Sequence, residues 1–170
     1  MRDAKGIATI VVASFVLVSG TAAGQEAGPG PRWQPYTFAA PGGISNAGTT
    51  LHLGGGADVL IWKGLGASVE GGYVGPIRSM DYGIGLVSAN ALYQFGRPGR
   101  TKVTPFVTGG YSVGFRSSAG DAVNVGAGLN YWITDRTALR FEVRDHVPIG
   151  SGIIRGVDIW GVRVGFTWRR

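Results

Sequence analysis

From Asp121 to Val147 the chain switches between apolar and polar residues at nearly every step. Val123, Val125, Ala127, Leu129, Tyr131 and Ile133 share one parity; Asn124, Gly126, Gly128, Asn130 and Trp132 share the other. Thr134-Asp135-Arg136 interrupts the run. Leu139, Phe141, Val143 and Val147 then continue the apolar set, and Arg140, Glu142, Arg144 and His146 the polar one. Two period-two runs joined by a short polar turn predict a β-hairpin. The polar parity mixes ionised groups with glycines, while the apolar parity is continuous and ends in aromatics. A water-soluble barrel would bury the apolar parity and show the charges to solvent. A barrel in a bilayer does the reverse, with apolar residues toward lipid and polar ones toward the lumen.

The same alternation predicts about eight strands, over residues 33–40, 50–61, 65–74, 81–95, 103–115, 122–133, 137–147 and 156–168. All but the short first one reach the roughly 9–11 residues that cross a bilayer as a tilted strand. Lipid cannot satisfy an open sheet edge, so the sheet must close. The predicted fold class is all-β: an eight-stranded antiparallel up-and-down transmembrane β-barrel over residues 33–170. In 81–95 the apolar parity changes between Leu86 and Val87. A β-bulge there reconciles the two halves, and so does a shifted strand boundary.

The connections 62–64, 96–102 and 134–136 alternate with 41–49, 75–80, 116–121 and 148–155, and the first set is mostly shorter. Short turns face the periplasm in single-chain bacterial barrels, which places both termini there. Trp33, Tyr36, Trp62, Tyr93, Phe95, Tyr131, Trp132 and Trp168 cluster toward the short-turn end. Tyr73, Tyr82, Phe115 and Trp160 fall toward the other. Two aromatic girdles mark two membrane interfaces.

Residues 1–24 read as a signal peptide: Arg2 and Lys5, an apolar run from Ile7 to Val18, then Ser19 to Gly24, all small. A run of about twelve residues is too short to span a bilayer as a helix. Residues 25–32, rich in Gly and Pro, read as a flexible lead-in.

The pattern also predicts the lumen. If the 134–136 turn pairs Ile133 with Thr137, Asn130 lies opposite Arg140, Gly128 opposite Glu142 and Gly126 opposite Arg144. On the other flank the matching register sets Gly165, Arg163 and Gly161 opposite Arg140, Glu142 and Arg144. Each large ionised group is then flanked mainly by glycine. Glu70, inward on the third strand, reaches across to the surplus arginines. Glu70, Arg140, Glu142, Arg144 and Arg163 are the expected lumen ionic network, with Glu142 facing Arg163.

Composition narrows the alternatives. The 170 residues suffice for one domain, and 31 glycines suit crowded strand faces and many turns. The absence of Cys excludes disulfides and thiol chemistry. A net charge of +6 raises nucleic-acid binding, but the basic residues are scattered over turns and one strand face, so none is expected.

Gly109-Gly110-Tyr111, Leu129 to Arg136 and Leu139 to His146 resemble the later strands of small outer-membrane β-barrel proteins, the OmpA/OmpX-like eight-stranded barrel domain family. The resemblance covers residues 33–168, with no appended periplasmic domain. It implies outer-membrane lipids as surroundings and the barrel-assembly machinery as a partner during insertion, read at a C-terminal aromatic. Here Val162, Val164, Phe166 and Trp168 alternate correctly, but Arg169-Arg170 follow.

No cofactor, metal or catalytic residue is expected. His52 shares the lumen parity with Asp58, and His146 adjoins Asp145. A lipid A deacylase needs a His-Ser pair with an orienting carboxylate, and the nearest following serine, Ser151, lies beyond Pro148. Gly54-Gly55-Gly56 and Gly83-Ile84-Gly85 lack the spacing and the following helix of nucleotide loops. The expected function is a structural or interaction role in the outer membrane without enzymatic activity. The alternatives are a narrow pore, a lipid A-modifying enzyme and a lipocalin-like binder, the last disfavoured by the polar lumen.

Overall fold

A computed structural model describes residues 32–44, 48–96, 101–116, 119–149 and 158–169. The expected signal peptide lies outside them, as does the lead-in except Arg32, which opens the first strand. The strands are β1 (Arg32–Ile44), β2 (Gly48–Trp62), β3 (Leu65–Pro76), β4 (Ile84–Gln94), β5 (Val103–Phe115), β6 (Ala119–Trp132), β7 (Thr137–Ile149) and β8 (Ile159–Trp168). Each pairs antiparallel with the next, and β8 pairs with β1 to close the barrel. The shortest, β8, has 10 residues, enough to cross a bilayer when tilted.

The alternation sorts the side chains as the pattern predicts. Val87, Val123, Val125, Val143 and Phe166 stand exposed on the outside, whereas Ser88, Asn124, Arg140, Glu142 and Arg144 are buried inside. This is the inverse of a water-soluble barrel and the arrangement that lipid requires.

Three details differ from expectation. β1 has 13 residues rather than being short, because Pro41-Gly42-Gly43 pair with Leu51-Thr50-Thr49 instead of forming a loop. Proline is tolerated because the β1–β8 ladder is interrupted at Ala40 and Pro41, so no partner waits for the missing N–H. β4 begins at Ile84, after a single 3-10 turn at Met80–Tyr82. Its register to both neighbours is continuous, so neither a bulge nor the strand boundary accounts for the parity change at Leu86–Val87: both residues lie inside β4 with alternation unbroken, and the apolar residues before Val87 face inward. Ile84 and Leu86 line the lumen, and Ile84 packs on Val74, Ala122 and Ile159. The described register shift is elsewhere, at Leu60/Trp62 in the β2–β3 pair. It adjoins the Lys63-Gly64 turn, where both residues hold positive φ (46° and 93°), as a tight hairpin with right-handed strand twist demands.

Longer strands also shorten the connections. Residues 95–102 separate β4 from β5, a longer segment than 77–83 between β3 and β4, so length does not distinguish the two rims. We call near the rim where β1 begins and β8 ends, and far the opposite one. Trp33, Trp62, Tyr93, Phe95, Tyr131 and Trp168 stand exposed toward the near rim; Tyr82, Phe115 and Trp160 do so toward the far one. Tyr36 and Trp132 do not join the near girdle. Their parity turns them inward, where both are buried.

Val125→Arg tests the outward face at mid-strand. In lipid vesicles the substitution is expected to cost about 2–4 kcal/mol of folding free energy, measured by denaturant titration of tryptophan emission. A change within about 0.5 kcal/mol, usual for a water-exposed surface site, would contradict a lipid-facing position.

Candidate functional site: the charged lumen

β6, β7 and β8 set the middle of the lumen. Their register is the expected one: Asn130, Gly128 and Gly126 oppose Arg140, Glu142 and Arg144 on one side, and Gly165, Arg163 and Gly161 oppose them on the other. The glycines are there for room. A Cβ on Gly126 would lie 2.7 Å from Glu142 Oε1 and 2.9 Å from Thr108 Oγ1. One on Gly128 would lie 2.6 Å from the Phe106 ring, and one on Gly54 2.8 Å from that of Phe38. Large inward side chains thus occupy the volume that glycines on adjacent strands vacate.

The structure brings all five expected network residues together and adds a sixth. Asp58 Oδ2 accepts from Arg140 Nη1 at 2.6 Å. Arg140 Nε lies 3.4 Å from Glu142 Oε2, and Arg144 Nε donates to Glu142 Oε1 at 2.7 Å. Arg144 Nη1 reaches Glu70 Oε2 at 3.0 Å. Arg163 Nη1 donates to both Glu70 oxygens at 2.9 and 2.8 Å. The result is one chain of alternating sign, Asp58–Arg140–Glu142–Arg144–Glu70–Arg163, with three carboxylates, three guanidiniums and no net charge. All six side chains are buried.

One expected contact is replaced. Glu142 and Arg163 are register partners, but the Arg163 guanidinium pairs across the lumen with Glu70. Glu142 is already held between Arg140 and Arg144 on its own strand. Asp58 was the residue missed. It sits on the lumen parity of β2, and three arginines against two glutamates left one cation without an anion, which was the available signal.

Aromatic faces complete the packing. The Arg140 guanidinium lies 4.3 Å from the Tyr36 ring centroid and 4.1 Å from that of Phe106. Arg163 lies 4.3 Å from that of Phe38. Cation–π attraction strengthens in such desolvated sites. Tyr36 Oη donates to Glu70 Oε2 at 2.9 Å, and Arg144 Nη2 donates to Thr108 Oγ1 at 3.1 Å. Toward the near rim, Trp132 Nε1 donates to Thr104 Oγ1 at 2.9 Å, and Leu60, Leu92 and Phe106 form an apolar layer.

The two histidines are lumen residues. His52 packs edge-on against Phe38 at 4.9 Å and lies 6.3 Å from His146, ring centre to ring centre. His146 Nδ1 is 3.3 Å from the Ile159 carbonyl oxygen. Neither is joined to Asp58, and strand alternation turns Asp145 to the opposite face from His146. Thr50, His52, Arg144, His146 and Arg163 line a cavity of about 10 Å³, the space of one water molecule. Among the described residues, no cluster of three or more His, Asp or Glu could hold a metal ion. Ser151 lies outside the described residues.

An antiparallel up-and-down barrel of eight strands, apolar outside and charged inside, defines the class of small transmembrane β-barrels. No protein-family model matches the chain, and no curated protein matches it in sequence. Among solved structures it is similar to the N-terminal β-barrel domain of Pseudomonas aeruginosa OprF, with a TM-score of 0.62 at 18% identity over 82% of this chain and 97% of that one. It is similar to Neisserial surface protein A, with a TM-score of 0.61 at 15% identity over 85% and 99%. It is also similar to the outer membrane enzyme PagL, with a TM-score of 0.52 at 18% identity over 78% and 97%. The chain therefore has the fold of the small eight-stranded outer-membrane barrels, the fold that its resemblance to the OmpA/OmpX-like domains implies.

Removing one partner of a buried ion pair costs about 3–5 kcal/mol. Glu142→Ala is accordingly expected to lower the temperature at which the compact band is lost in heated-versus-unheated gel electrophoresis. Asp81→Ala, at an exposed turn, should leave that temperature unchanged. Equal melting of the two variants would contradict the network's role. Gly126→Leu should destabilise the barrel by displacing the Glu142 and Thr108 side chains, read in the same assay.

Proposed function

We propose that this protein is an integral outer-membrane barrel with a structural or interaction role, no enzymatic activity and a lumen closed by an ionic plug. The single observation that carries the reading is the charge-balanced chain of six buried groups across the middle of the lumen. An eight-stranded barrel has an interior just wide enough for side chains to fill. Here Arg140, Arg144, Glu142, Glu70, Tyr36 and Phe106 fill it. Likeness to outer-membrane proteins of the same fold supports the outer membrane as its location. The near-rim aromatics support a periplasmic position for both termini. Outer-membrane lipids are then its surroundings, and the barrel-assembly machinery its partner during insertion.

The enzymatic alternative has one observation in its favour, since PagL is an enzyme on this fold. Against it, both histidines point into the lumen and His146 is hydrogen-bonded to backbone. A deacylase acting on membrane lipid needs its base on the outer wall. The pore alternative requires the plug to move.

Purified protein in planar bilayers should give no stable ion-selective openings, whereas Glu70→Ala with Glu142→Ala should give measurable conductance if the double variant folds. Stable openings of the unaltered protein would reverse the reading in favour of a pore. Orientation is tested separately, and the lack of native cysteine makes the labelling clean. Ser79→Cys should react with an impermeant maleimide on intact cells, and Thr101→Cys only after the outer membrane is broken. The opposite labelling would invert the barrel.

A further inference from the structure

The six lumen charges cancel, so the charge of the barrel resides at its rims, and the rims differ. Toward the near rim the described residues carry Arg32, Lys63, Lys102, Arg136 and Arg169 against a single carboxylate, Asp135. Toward the far rim they carry Arg78 and Arg116 against Asp81, Asp121, Asp145 and Asp158. The near-rim cations are distributed around the mouth. Arg32 precedes the body of β1, Lys63 forms the β2–β3 turn, Lys102 leads into β5, Arg136 ends the β6–β7 turn and Arg169 follows β8.

Two cations of this ring stand beside exposed aromatics. Arg32 adjoins the exposed Trp33. Lys63 Nζ lies 4.7 Å from the Trp62 ring centroid. Arg169 differs, its guanidinium lying 3.7 Å from the ring of the lumen-facing Trp132. Five cations against one carboxylate leave the ring short of anions, and Trp33 and Trp62 beside it are side chains that favour the headgroup depth of a bilayer.

We propose that this near-rim collar binds the headgroups of anionic glycerophospholipids, of the phosphatidylglycerol type, in the adjacent leaflet. The chemistry is a phosphodiester anion met by guanidinium and ammonium donors, with the aromatics anchoring the glycerol and upper acyl region. The inference rests on the barrel spanning a bilayer but not on which leaflet is periplasmic.

The test uses the folded chain in phosphatidylcholine vesicles, in a Trp160→Phe background. The remaining outward tryptophans, Trp33, Trp62 and Trp168, then all lie at the near rim. Quenching by trace brominated phosphatidylglycerol is compared with quenching by brominated phosphatidylcholine. A preference on the order of fivefold for the anionic lipid is expected, near what one basic side chain contributes at a membrane surface. It should fall toward one in about 1 M salt and in the combined variant Arg32→Gln, Lys63→Gln, Lys102→Gln and Arg136→Gln. It should persist in Arg78→Gln with Arg116→Gln. A ratio near one in the unaltered collar, or an undiminished ratio in the collar variant, overturns the proposal. Should the variant not fold, the salt dependence of the unaltered protein still decides. Loss of the preference on adding millimolar inorganic phosphate would assign the collar to free phosphate anions and overturn the lipid assignment. Quenching by neither lipid would overturn the bilayer reading itself, and the collar with it.

Discussion

Everything in this barrel is arranged around the fact that six ionised side chains have nowhere wet to go. The wall is closed by backbone hydrogen bonds, its outside is apolar, and the interior of an eight-stranded barrel is narrow. A lone buried charge in such a place is prohibitively expensive. The solution is neutrality group by group: no carboxylate lacks an arginine, no arginine lacks a carboxylate, and the chain of pairs runs without a break from Asp58 on β2 to Arg163 on β8. The aromatic faces of Tyr36, Phe38 and Phe106 stack over the Arg140 and Arg163 guanidiniums.

That solution constrains register as much as stability. Strand pairing has a period of two, so a slip of one residue between β7 and its neighbours would turn Arg140, Glu142 and Arg144 out into lipid. A slip of two would keep them inside but bring bulk against bulk, because Gly126, Gly128, Gly161 and Gly165 would no longer stand beside the long side chains. Buried ion pairs often contribute little against an apolar alternative of equal volume. Their value here lies in specifying one closed sheet out of several that the apolar exterior alone would tolerate.

The outside of the barrel answers to a different solvent and is simpler. Its requirement is a continuous apolar band with amphipathic aromatics at its edges, and many sequences meet it. This explains why solved barrels with the same fold share only 15–18% of residues with this chain. It also explains why fold alone does not separate a structural barrel from an enzyme: chemistry on such a wall depends on a few side chains at one rim. Charge at the rims is free of both constraints, and there the two ends of this molecule diverge.

Local chemistry was enough to read the strands, the inward and outward faces and the register of the β6–β7–β8 sheet. Each follows from the two-residue period and one tight turn, interactions between residues near in sequence or directly opposed. The strand limits were less legible. Pro41-Gly42-Gly43 looks like a loop until the interrupted β1–β8 seam shows why proline fits there, and Ile84 and Leu86 break the apolar parity of their strand until the continuous register shows that they face an apolar layer of the lumen. The partners within the lumen belonged to the tertiary structure alone. Whether Arg163 meets Glu142 beside it or Glu70 across the barrel, and whether Asp58 joins, depends on how closure brings β2, β3, β7 and β8 around one narrow axis. Alternation states which side chains point inward; only the closed circumference decides which of them touch.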